Sequence, residues 1–139
     1  MKNLFLLTLL MFVFASCTKQ NSSETPSDNH IDSIASQLKY SGVFQIGAEG
    51  TVMGKANIYL SGSKYQLELD SFSVSNGPDL HVYLAQDIQG IHFIELGKLK
   101  STNGNDVYDI PGLPDFTTYK YALIYCQQYS VLFGSAELK

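Results

Sequence analysis

Apolar and polar positions follow three regimes along this chain. Leu4 to Phe14 is an apolar or near-apolar run of eleven residues, preceded by Lys2 and followed by Ala15-Ser16-Cys17. Residues 18–30 carry almost nothing apolar and read as a tether rich in Ser, Asn and Thr. Ile31, Ile34, Ala35 and Leu38 then fall at i, i+3, i+4 and i+7, with Asp28 or Asn29 available as a cap, which predicts one short N-terminal amphipathic helix. From Tyr40 onward the period becomes two. Apolar runs broken by Gly, Asn, Asp and Pro predict strands over 40–46, 51–60, 64–72, 79–85, 92–96, 105–110, 119–127 and 131–138. Tyr65-Gln66-Leu67-Glu68-Leu69-Asp70 alternates cleanly, placing Tyr65, Leu67 and Leu69 on one face. Ser61-Gly62-Ser63 predicts a hairpin turn, and Asn76-Gly77-Pro78-Asp79 and Asn103-Gly104-Asn105 predict two more turns. The fold class is therefore all-β: a single small domain of about seven or eight antiparallel strands, expected as a β-sandwich ahead of a partly closed barrel.

The first regime sets the expected location. One basic residue, a short apolar core and small residues ahead of a cysteine match the order of an export signal, and the run is too short to span a bilayer. Phe14-Ala15-Ser16-Cys17 resembles a bacterial lipobox, with Phe14 standing where Leu is usual. The resemblance implies a signal peptide over 1–16, a diacylglyceryl group on the Cys17 thiol, and a lipidated tether over 17–38 carrying a β domain over 39–139. The chain is then expected in the bacterial cell envelope, on the inner or outer membrane, facing periplasm or surface, with the lipid bilayer as its first partner.

Charge narrows the other partners. Lys2 is the one base among residues 1–16, so the mature chain carries eight lysines, no arginine and thirteen acids, a formal charge of −5. Nucleic acid is excluded as an expected partner, because duplex binding needs clustered cations.

Common catalytic signatures are missing: no Gly-x-Ser-x-Gly, phosphate-binding loop, His-Glu-x-x-His or Cys-x-x-Cys occurs. No catalytic residue can be named, and hydrolysis is the least expected activity. His30, His81 and His92 are not at metal-ligand spacing, so no metal site is expected. The aromatics, from Phe44 to Phe133, are expected to fill the core, with a tyrosine-lined electron path or ligand groove as the alternative. Cys126 closes the apolar strand Tyr121-Ala122-Leu123-Ile124-Tyr125-Cys126. With Cys17 acylated it has no intramolecular partner. Its own surroundings read as those of a small core hydrophobe, since a reactive thiol needs a nearby cation, helix terminus or metal, and the nearest upstream base, Lys120, is six residues away.

A set of fragments in order changes that weighing: Gly77-Pro78-Asp79-Leu80-His81-Val82-Tyr83-Leu84, Leu96-Gly97-Lys98-Leu99-Lys100, Tyr108-Asp109-Ile110-Pro111, and Cys126 through Ala136. Together they resemble the DM-thirteen domain, a small β-rich extracytoplasmic domain found in bacterial lipoproteins and, in animals, beside DOMON domains and b-type membrane cytochromes. The resemblance spans about residues 40–138. It implies electron transfer through one characteristic cysteine, which matches Cys126; Tyr125 stands where many members carry Trp. His81, Tyr125 and Tyr129 are the expected supporting residues, and a redox protein is the expected second partner. No cofactor is fixed by the sequence. Haem is the candidate the resemblance brings, as cysteine thiolate is a known haem ligand. The alternative is a binding or structural β-domain displayed at the membrane, with Cys126 only a core residue.

Overall fold

The computed structural model describes residues 27–29, 31 and 35–139. Nine strands follow one another: β1 (Ser27–Asp28), β2 (Ser36–Ile46), β3 (Val52–Ser61), β4 (Lys64–Val74), β5 (Leu80–Ala85), β6 (Phe93–Lys98), β7 (Asn103–Ile110), β8 (Tyr121–Cys126) and β9 (Val131–Glu137). They form one sheet in the order β1-β7-β4-β3-β2-β9-β8-β5-β6. Every pairing is antiparallel except β1 with β7, where Ser27 and Asp28 lie parallel to Gly104 and Asn105.

The all-β expectation holds, and the eight longer strands curl into a nearly closed barrel instead of the favoured sandwich. Strand β2 causes this. From Ser36 to Val43 it pairs with β3, and from Phe44 to Ile46 with β9, so one strand belongs to both halves of the sheet. Ser41 and Lys139 continue the seam through reciprocal backbone hydrogen bonds, each 3.1 Å. The backbones meet closely there: a Cβ on Gly42 would lie 2.4 Å from the Glu137 carbonyl oxygen. Bulges at Met53/Lys55, Leu69/Phe72, Val82/Tyr83 and Ile124/Tyr125 add the bending that closure needs.

Inward-facing positions make one core. Ile58, Leu67, Leu69, Leu84 and Ile124 are fully buried in it, and Tyr65 packs against it as the alternation of β4 predicts. Phe116, from the connection between β7 and β8, packs on Tyr40 and Tyr65. A smaller cluster of Tyr83, Ala85 and Leu123 sits on the opposite face of β5 and β8, with Tyr121, Tyr125 and Leu132 around it.

The N-terminal side departs from the sequence reading. Ser36, Gln37 and Leu38, the end of the expected helix, are strand, because their backbones pair with Ser61, Leu60 and Tyr59. Leu38 is consequently exposed. Residues 32–34 of that helix lie outside the described residues, as do residues 1–26, with Cys17, and His30. Part of the stretch read as tether joins the domain. Besides β1, Ile31 is buried, and its N–H donates to Glu68 Oε1 at 3.4 Å. Glu68 is itself fully buried on the face read as polar, where Asn57 Nδ2 donates to its Oε2 at 3.4 Å.

Candidate functional site

Strand β8 alternates between the two faces of the sheet. Ala122, Ile124 and Cys126 point into the barrel; Leu123 and Tyr125 point out. Cys126 is a free thiol with no exposed surface. Its register neighbours are Leu80 on β5 and Val131 on β9.

The Gly77-Pro78-Asp79 turn adjoins this end of β8. The Asp79 carbonyl accepts from the N–H of Gln127, the residue after Cys126, at 3.0 Å. Gly77 is packed tightly, since a Cβ there would lie 2.7 Å from Leu80 Cδ2 and 3.0 Å from Phe133 Cζ. Open clefts flank the turn. One, of about 200 Å³, is lined by Gly77, Pro78, Asp79, Leu80, Lys98, Leu99 and Thr102. The other, of about 490 Å³, is lined by Glu49, Asn76, Gly77, Pro78, Tyr129, Val131 and Phe133. Cys126 thus lies between the strand residues Leu80 and Val131, each of which lines one cleft.

His81 does not join Cys126. It occupies the next position on β5, points to the outer face, and has Tyr125 and Lys98 as register neighbours. Only 5% of its surface is exposed. Both ring nitrogens face carboxylates: Nδ1 lies 2.5 Å from Glu95 Oε1 and Nε2 lies 3.0 Å from Asp79 Oδ1. Lys98 Nζ stands 3.6 Å from the same Asp79 oxygen. The hydrogen bond from His81, with the charges of His81 and Lys98 behind it, holds the Asp79 carboxyl below the usual carboxylate range. An imidazole with an acceptor at each nitrogen donates to both only as the imidazolium. His81 therefore serves as a cross-link between turn, β5 and β6, with a carboxylate at each ring nitrogen.

Tyr125, one residue from Cys126, faces away from it and joins an aromatic stack. The Tyr83 ring lies 5.4 Å from Tyr125 and 4.0 Å from Phe93, roughly parallel to each. Tyr83 Oη accepts from Gln127 Nε2 at 2.7 Å, and burial raises its pKa. Tyr129 is exposed on the rim of the larger cleft. The expected residues thus gather at one end of the barrel on three different surfaces: Cys126 inside, His81 and Tyr125 outside, Tyr129 on the rim. Sequence reasoning did not pair His81 with acids. Asp79 was legible, since residues two apart on a strand share a face; Glu95 becomes a neighbour only through the β5–β6 register.

A family model described as electron transfer DM13 matches residues 44–138. The chain belongs to the electron transfer DM13 family. The match runs from β2 to just past β9 and includes the turn, the His81 cross-link and Cys126. No curated protein and no solved structure matches the chain. Haem can be weighed against this DM13 site. A thiol sealed in the core, with packed strand neighbours on both sides, leaves no axial position for an iron porphyrin. Cys126 as placed does not fit haem ligation. Among the described residues, no group of three or more His, Cys, Asp or Glu side chains is placed to hold a metal ion.

Proposed function

We propose that this DM13 chain is a lipid-anchored electron-transfer domain of the bacterial cell envelope, working through the Cys126 thiol and a protein redox partner. Family membership is the observation that carries the reading. The lipobox-like Phe14-Ala15-Ser16-Cys17 supports the anchor. Cys126 is the one free cysteine among the described residues, and it sits at the barrel end beside the Gly77-Pro78-Asp79 turn.

The chemistry open to one thiol is exchange. Cys126 thiolate attacks a disulfide of the partner, a mixed disulfide forms, and the second partner sulfur leaves as thiolate. A thiolate of a second, reduced protein then attacks the partner sulfur of the mixed disulfide and releases Cys126 as thiolate, so that this second protein is oxidised and the first partner reduced. The exchange requires the thiol to become reachable, since a thiolate acts only where its target can approach.

The complete burial of Cys126 favours a second reading, in which the cysteine is core and the DM13 domain is a displayed binding or structural module. Incubating full-length native protein with oxidised glutathione, followed by mass spectrometry of the Cys126 peptide, separates the two. A mixed disulfide that forms without denaturant, reverses with dithiothreitol and is absent from Cys126→Ser supports exchange. Modification only above the unfolding transition refutes it and leaves the structural reading, with Cys126→Ser costing about 1–3 kcal/mol from a buried hydroxyl. Mass spectrometry of the mature N-terminus tests the anchor; an unacylated chain cleaved elsewhere overturns it.

A further inference from the structure

The outer-face cross-link has no part in the exchange chemistry, yet it grips the turn beside Cys126. Asp79 is held at both ends. Its carbonyl bonds to Gln127, directly after Cys126, and its carboxylate bonds to His81, which is anchored in turn by Glu95 on β6. The residue after Asp79 is Leu80, the register neighbour of Cys126. Open clefts flank the turn on both sides, and Gly77 packs on Leu80 and Phe133 between them.

We infer that the Asp79–His81–Glu95 bridge is a latch, with His81 as a positioning residue that holds the turn against the end of β8 and so sets how often Cys126 is reached from outside. The biological meaning of the latch rests on the exchange reading above; the latch itself concerns access alone. The groups facing His81 are Asp79 from the turn, Tyr83 on its own strand, Glu95 and Lys98 from β6, and Tyr125 from β8. Two of these are acceptors aimed at separate ring nitrogens. Each carboxylate holds one edge of the ring, so removing either one should slacken the latch. Lys98 remains near Asp79, but it is exposed and holds the turn weakly.

Maleimide labelling of full-length native protein, with Cys126 followed by peptide mass spectrometry, tests this. Rates are divided by those of the urea-unfolded chain at the same pH, which removes the pH dependence of the thiolate itself. Losing a charge-assisted hydrogen bond from the closed state should make Asp79→Ala label roughly 10- to 100-fold faster than the parent. Asp79→Asn, which keeps an acceptor for Nε2–H, should fall between them. The acceleration should change little with low urea, the mark of local opening. An Asp79→Ala rate equal to the parent's, or one rising with urea as steeply as global unfolding, overturns the latch. Faster labelling in the variant with no reversible glutathione adduct in either protein keeps the latch and refutes the exchange reading; unchanged labelling with a reversible adduct does the reverse.

Discussion

Replacing Gly42 by alanine should weaken the barrel at its seam. The added Cβ lies 2.4 Å from the Glu137 carbonyl oxygen and 2.8 Å from its carbon, both backbone atoms that no rotamer change can move. Relief requires β2 and β9 to part. The first bonds to suffer are the reciprocal pair between Ser41 and Lys139, already 3.1 Å each. Two such bonds contribute about 1 kcal/mol apiece, and overpacking adds about 1–3 kcal/mol. Restricting the unfolded chain returns about 0.4–1 kcal/mol. The net loss is about 2–4 kcal/mol, a large share of the roughly 5–15 kcal/mol a domain holds. At about 4–8 °C per kcal/mol for a domain of this size, melting should fall by at least roughly 8 °C. Gly62→Ala is the control. Nothing lies within 4 Å of its added Cβ, and its φ of 62° carries only the left-handed cost of about 1–2 kcal/mol. Circular-dichroism melts of both variants decide the matter. A Gly42→Ala protein that melts within about 3 °C of the parent, or above Gly62→Ala, refutes the reasoning that the seam is a close backbone contact.

Two further outcomes follow from the charges. Tyr108 is buried and its hydroxyl accepts from the Lys100 N–H at 2.9 Å; burial pushes its pKa up to about 12. The neutral phenol is favoured in the fold, so its contribution is complete below about pH 10 and lost as pH rises towards 12, costing about 2–3 kcal/mol; spectrophotometric titration should show one late tyrosine that Tyr108→Phe removes. Asp79 and Asp115 are held below the usual carboxylate range, Asp79 chiefly by His81 and Asp115 chiefly by Thr117, so both contribute above about pH 4 and lose that contribution as pH falls through their lowered values. Urea midpoints measured from pH 5 down to 2 should decline less steeply in Asp115→Ala than in the parent.

Much of the barrel was legible because alternation reports which residues share a face. Tyr65, Leu67 and Leu69, the Ser61-Gly62-Ser63 turn and the position of nearly every strand follow from it. Closure did not, since no local pattern records that Phe44 meets Ala136. The helix expected over 31–38 shows a further limit: its 3.6-residue spacing is real, but backbone pairing with β3 claims Ser36 to Leu38. Alternation sets Glu68 opposite Leu67 and Leu69, but says nothing of a cover from elsewhere in the chain such as Ile31. At the candidate site, Cys126 was legible as a residue of interest, and its burial agrees with the reading of its own surroundings as those of a small core hydrophobe. The Glu95 carboxylate beside His81 was not, because it reaches the ring only through the pairing of β5 with β6.

The double membership of β2 also bears on how the chain acquires its fold. Its C-terminal portion is completed by β9, which is made nearly a whole domain later. At about 5–20 residues per second, roughly 5–20 s separate the two strands during synthesis. Through that interval β2, β3 and β4 can form their hairpins, because their partners are adjacent in sequence. The Phe44–Ile46 edge of β2, however, stays open and offers unpaired backbone to any neighbouring chain. The final strand thus protects the nascent chain as well as finishing its barrel. A chain cut short before Val131 would keep good local structure and still aggregate.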